Sequence, residues 1–157
     1  MNIFVLDIDP VIAAQSQCDK HVVKMILESA QLLSSVHHLT NSIPGLYKLT
    51  HKNHPCSIWA RTSISNYKWL CSHALGLCNE YTFRYNKIHA SQKIIELCAN
   101  NIPEIPEVGL SKFALAMPEE YKTDDPVLSY RNYYIKDKAK NIKINFTKRD
   151  VPKWFIL

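Results

Sequence analysis

Residues 9–36, DPVIAAQSQCDKHVVKMILESAQLLSSV, set the architecture, because their apolar side chains recur at helical spacing. Stepped at about 100° per residue, Val22, Met25, Ile26, Ser29, Leu32, Leu33 and Val36 fall on one broad arc. Opposite them, His21, Lys24, Glu28, Gln31 and Ser35 form a narrow polar stripe. Asp9 is suited to capping a helix and Pro10 to its first position, so the pattern predicts one helix from Pro10 to about Val36.

To the N-terminal side, Met1–Leu6 is a short apolar stretch that reads as a strand or as an anchored, extended terminus. To the C-terminal side, a loop with Pro44-Gly45 leads to a second start signal, Asn53-His54-Pro55. From there an aromatic-rich helical pattern runs to about Lys87, with a break near Thr62–Ser65, and Trp59, Trp69, Leu70, Leu77 and Tyr81 supply core bulk. A third helix is predicted over Ser91–Ala99, ending at Asn100-Asn101. Pro103, Pro106 and Pro118 then impose a mainly extended connection, and Asp124-Asp125-Pro126 opens a fourth helix to about Lys140. Val151–Phe155 reads as a docked aromatic tail. The expected fold class is all-α or nearly so: one compact helical domain over residues 1–157 with a short extended N-terminal segment.

Composition narrows the functional classes. Apolar residues make up 46% of the chain, but no run approaches the roughly 18 needed to span a membrane, and the opening residues include acids where a signal peptide carries bases. The expectation is an intracellular protein with no membrane partner. Five cysteines, an odd number without a C-x-x-C pair, read as reduced thiols. Three glycines leave no room for a dinucleotide fingerprint or a phosphate loop, so no nucleotide cofactor is expected. Of the 19 Lys and Arg, eight lie in residues 131–157, against two of the 14 Asp and Glu. The basic excess is thus concentrated in a segment spanning 131–153, which favours an anionic partner, most simply nucleic acid.

Three constellations carry candidate chemistry. Asp19, Lys20, His21, Lys24 and Glu28 lie on the first long helix. Lys24 precedes Glu28 by four, the weaker order for a helix-stabilising pair, so an acid, an imidazole and an amine in that stripe are candidates to act on one substrate. A solvent-facing stripe is the competing explanation. His51, Lys52, Asn53 and His54 precede a helix start whose free N–H groups suit an anion. A zinc site using His51, His54 and Cys56 is the alternative there, but its spacing fits no established pattern, and no metal is expected. Glu80 and Arg84 are spaced as a surface ion pair, while Trp59 and Arg61 read either as core and surface or as a stacking platform and a phosphate contact.

Taken in order, Asp19-x-His21, Lys24, Glu28, then Asn53-His54-Pro55 and Trp59, then a helix ending Glu80-Tyr81 and Arg84, resemble small proteins of tailed phages and large DNA viruses. More distantly, over roughly residues 15–87, they resemble the pyrimidine-dimer DNA glycosylase (endonuclease V) family. In that family the N-terminal α-amine attacks sugar C1′ of a damaged nucleotide, and a carboxylate on the first long helix assists base loss and the β-elimination that follows. Aligning the aspartate-x-histidine pair implies Glu28 as that carboxylate, with His21 and Lys24 beside it. Family members expose threonine after methionine removal, whereas here the large Asn2 follows Met1, so the resemblance leaves two alternatives: the amine of Met1 is the nucleophile, or the chain has none. A terminal amine, at ~7.7–8.0, is closer to neutrality at working pH than a lysine at ~10.4. Two basic residues that flank the family glutamate fall at Leu27 and Gln31, so phosphate must be gripped elsewhere.

The resemblance therefore implies a DNA glycosylase, with strand-cleaving lyase activity, acting on a damaged or modified pyrimidine without a cofactor. Candidate substrate contacts are Asp19, Lys20, His51, Lys52, Asn53, His54, Trp59, Arg61 and Arg84. The alternative is a non-catalytic module, binding nucleic acid or a host protein through the basic segment 131–153.

Overall fold

The computed structural model describes residues 1–156. Six helices follow in order: α1 (Pro10–Gln15), α2 (Asp19–His38), α3 (Pro55–Thr62), α4 (Ile64–Tyr85), α5 (Gln92–Ala99) and α6 (Pro126–Tyr133). A π-helical turn, Tyr134–Lys138, and a last turn, Ala139–Asn141, continue α6, and Glu119–Tyr121 forms one 3₁₀ turn. Among the described residues there is no strand, and no helix is long and apolar enough to cross a membrane. The all-α class is as the sequence predicts.

Helix α4 is the axis, with α1, α2, α3 and α5 packed around it. Its Gly76 lets α1 approach closely, since a Cβ there would stand 3.1 Å from that of Ala14. Asp9 caps α1 through bonds from the Val11 and Ile12 amides, and Ser63 separates α3 from α4 while capping the latter. The predicted helix over Pro10–Val36 is instead two helices, broken at Ser16–Cys18. The break is held by distant groups. Arg84 donates to the Gln15 carbonyl, the Cys18 amide donates to the Tyr134 hydroxyl, and the Gln17 amide group donates to the Ile3 carbonyl.

Residues Ile3–Leu6 are buried in the core without pairing as a strand. Phe4 takes a positive φ of 56°, which bends the chain so that Met1 returns toward α2. The Asn2 side chain holds that bend: its Oδ1 accepts from the Ile3 and Phe4 amides, and its amide group donates to the Ala116 carbonyl. The extended connection over 100–118 thus straps the N-terminus down. Its carbonyl at Ala114 also accepts from the Tyr130 hydroxyl, which in turn accepts from the Ala116 amide.

Part of the basic segment is committed internally. Arg131 binds the Leu6 carbonyl and Asp7, and Arg149 binds both oxygens of Glu80. Lys136, Lys140, Lys143 and Lys153 are exposed. Trp154 and Phe155 pack edge-on against Tyr134, the docked tail that the sequence predicts. All five cysteines are free and buried. Burial pushes the thiols of Cys56, Cys71 and Cys78 up to about 12, as expected of core side chains.

Candidate active site

The polar stripe of α2 is not a solvent-facing one. His21 is 6% exposed, Glu28 9% and Ser35 0%, because three separate segments lie over it. The chain start covers Glu28, the loop carbonyl of Thr50 accepts from Ser35, and the π turn covers His21 through Tyr134.

Glu28 is the centre of the arrangement. Its Oε2 lies 3.6 Å from the Met1 amine and accepts from the Asn2 amide at 2.9 Å, while Oε1 lies 3.5 Å from the Lys24 ammonium. The Met1 side chain is only 3% exposed although the residue as a whole is half-buried, so what Met1 presents to the surface is its main chain. These groups share a cavity of about 180 Å³ with Phe4, His21, Ala116, Tyr133 and Lys138. Amine, carboxylate, imidazole and two lysines therefore face one space.

His21 stacks on Phe4 at 4.3 Å between ring centroids, and its Nδ1 shares a 2.8 Å hydrogen bond with the Tyr134 hydroxyl. Burial, followed by the positive charges of Lys138, Lys24 and Lys20, pushes its imidazole down to about 3. It is therefore neutral at physiological pH and serves as a hydrogen-bonding wall, not as a cation. Lys20 is exposed one turn before Lys24.

The start of α3 joins the site from the other side. His54 Nδ1 accepts from the Cys56 amide as the helix cap, and the His54 ring lies against the Met1 main chain. Burial, then the positive N-terminus and His51, lower its affinity for a proton, opposed by Glu28. His51, Lys52 and Asn53 are exposed on the loop ahead of it. Arg61 is turned back on this loop, donating to the Lys52 carbonyl and to Ser57, so it acts as a staple instead of a free phosphate contact. Among the described residues no three His, Cys, Asp or Glu side chains gather to hold a metal, and His51, His54 and Cys56 do not form a zinc set.

Three other expected contacts belong to the scaffold. Trp59 is buried between Trp69 and Phe113, a core side chain and not a stacking platform. Arg84 is wholly buried; its guanidinium donates to Glu80, Asp19 and the Gln15 carbonyl, leaving no face for phosphate. The Glu80–Arg84 pair is therefore a core feature instead of a surface one. Asp19 accepts from Arg84 and from the amide and hydroxyl of Thr147. Partial burial pushes the Asp19 carboxyl up, but the bonds from Thr147 and Arg84 outweigh this and hold it below its ordinary value.

A sequence profile of the pyrimidine dimer DNA glycosylases matches residues 1–93, more than half of the chain. The chain belongs to that family. No curated protein and no solved structure matches it. The glycosylase match takes in α1 to α4, the N-terminus and Glu28, and so reaches further in both directions than residues 15–87. It stops short of Ala116, Tyr133 and Lys138, which close the cavity from the C-terminal part of the chain. These were missed in the sequence because nothing local marks them. Lys138 is one of several lysines in its segment, and its place depends on how α6 ends.

Proposed function

We propose that the protein removes a damaged or modified pyrimidine from DNA and then cleaves the strand, with the Met1 amine as nucleophile and Glu28 as the acid-base group. The observation that carries this reading is the shared cavity in which the Met1 amine lies 3.6 Å from a Glu28 oxygen. Membership of a glycosylase family supports DNA as the substrate.

In the proposed reaction the amine nitrogen bonds to C1′, and the C1′–N bond to the base breaks, the base leaving with the electron pair and gaining a proton. Glu28 takes the proton that the attacking amine loses. Glu28 returns that proton to O4′ as the sugar ring opens, which gives an iminium at C1′ and leaves Glu28 ionised again. Removal of a C2′ proton by Glu28 forms the C2′–C3′ double bond and expels the 3′-phosphate with its electron pair. Water then hydrolyses the imine and restores the amine. A neutral His21 suits this scheme as a hydrogen-bonding partner to the open sugar.

Borohydride reduces such an imine to a stable amine, so the wild type should be trapped covalently on abasic or pyrimidine-dimer DNA. Glu28→Gln should retain DNA binding and lose roughly 10²- to 10⁴-fold in turnover. A wild type that neither traps nor cleaves either substrate would defeat the proposal.

A further inference from the structure

The cavity has a wall that the family match does not reach, and this wall carries a fixed cation. Helix α6 ends in a π turn, Tyr134–Lys138, of the kind often found at functional sites. On a regular α-helix residues five apart, such as Tyr133 and Lys138, point about 140° away from each other. The wider π turn, with its i to i+5 repeat, brings them onto one face, and the Lys138 ammonium sits 4.5 Å from the centre of the Tyr133 ring. Asp137 steadies the same ammonium at 3.4 Å. Tyr134, inside the turn, is fully buried and bonds to the Cys18 amide and to His21 Nδ1, which docks the whole turn on α2.

Lys138 is thus a held cation, with its side chain 24% exposed, lining the same cavity as Lys24. Arg61 and Arg84 are bound within the protein and leave no free guanidinium for phosphate. From this geometry we infer that Lys138 is a substrate-binding residue that grips a DNA phosphate flanking the reacting sugar. The inference rests on the proposed reaction for the identity of the sugar, but the phosphate contact can be read without chemistry.

The probe is a DNA duplex with a tetrahydrofuran abasic analogue, which has no C1′ oxygen and cannot form the imine. Lys138→Ala should weaken binding roughly tenfold at low salt, as loss of one charge-assisted contact does, and should make the plot of log K against log salt shallower by about 0.9. Lys138→Arg should restore both values. On true abasic DNA, Lys138→Ala should raise KM while trapping at saturation persists. Unchanged affinity and salt slope in Lys138→Ala would overturn the inference, as would equal losses in the Ala and Arg variants, which would mark a merely structural role. A wild type that binds the analogue with the expected slope but never traps on abasic DNA would defeat the catalytic proposal and leave the phosphate contact standing.

Discussion

Replacing Arg84 with methionine separates scaffold from DNA contact. The arginine side chain is fully buried and joins Glu80, Asp19 and the Gln15 carbonyl, so its loss breaks a buried ion pair, a change that costs about 3–5 kcal/mol. The damage is limited on two sides. Glu80 keeps two bonds from Arg149, at 2.9 and 3.0 Å, and Asp19 keeps both bonds from Thr147. Methionine also fills much of the vacated volume, which places the expected cost at the low end, about 3 kcal/mol. For a chain of 157 residues, an unfolding entropy of about 2.1 cal/mol/K per residue makes each kcal/mol worth about 3 °C, so Tm should fall by about 9 °C. Thermal unfolding followed by circular dichroism reads this directly, and DNA affinity measured well below the new Tm should keep its salt slope. A Tm within 2 °C of wild type, together with a shallower salt slope, would show that Arg84 meets phosphate and that the network has been misread.

Tyr134→Phe removes the hydroxyl that accepts from the buried Cys18 amide and bonds to His21, so about 2 kcal/mol of stability should be lost, with a rise in KM on abasic DNA as the π turn loosens. Denaturant titration and steady-state kinetics read the two effects. Gly76→Leu should cost about 2–3 kcal/mol by forcing α1 off α4, because even a Cβ there stands 3.1 Å from Ala14; a thermal shift below 3 °C would count against that packing. His21 is held down at about 3 by burial and then by its lysine neighbours, while the unfolded chain takes up the proton near 6.5. The unfolded state therefore binds more protons between those values, and the contribution of His21, fully present above pH 6.5, is lost as pH falls toward 3. In urea titrations between pH 4 and 6, His21→Gln should flatten stability against pH by about one proton, or ~1.4 kcal/mol per pH unit.

Local signals in the sequence located most of the helices. Pro10, Pro55 and Pro126 each occupy a first helical turn, and Asp9, Ser63 and Asp125 cap through their side chains. What local pattern cannot encode is which backbone groups find partners far along the chain. The break at Ser16–Cys18 and the turning of Arg84 into the protein both depend on such partners. For the same reason Glu28 reads from the sequence as one acid in a polar stripe, and its neighbourhood emerges only when Met1 returns across 26 residues of chain to meet it. The π turn is also silent in the sequence, since a pattern of period 3.6 continues to describe Pro126–Lys140 adequately while the backbone departs from it.

Holding an N-terminus in place is a hard physical problem, because chain ends lose the most freedom when fixed and have the fewest contacts to fix them. Here the first four residues are over-determined. Met1 buries its side chain, Asn2 spends every polar atom of its side chain on Ile3, Phe4 and Ala116, and the Phe4 ring is stacked on His21. Together these contacts sustain a left-handed backbone at Phe4, a conformation that costs a non-glycine residue about 1–2 kcal/mol. A terminus that served only to complete the core would have no need of that bend, since Ile3, Val5 and Leu6 are already buried without any partner strand. The bend does one further thing: it aims the main chain of Met1 at Glu28. Strain sustained by several independent contacts, at the point where an amine meets a carboxylate, is what the proposed role of the Met1 amine requires.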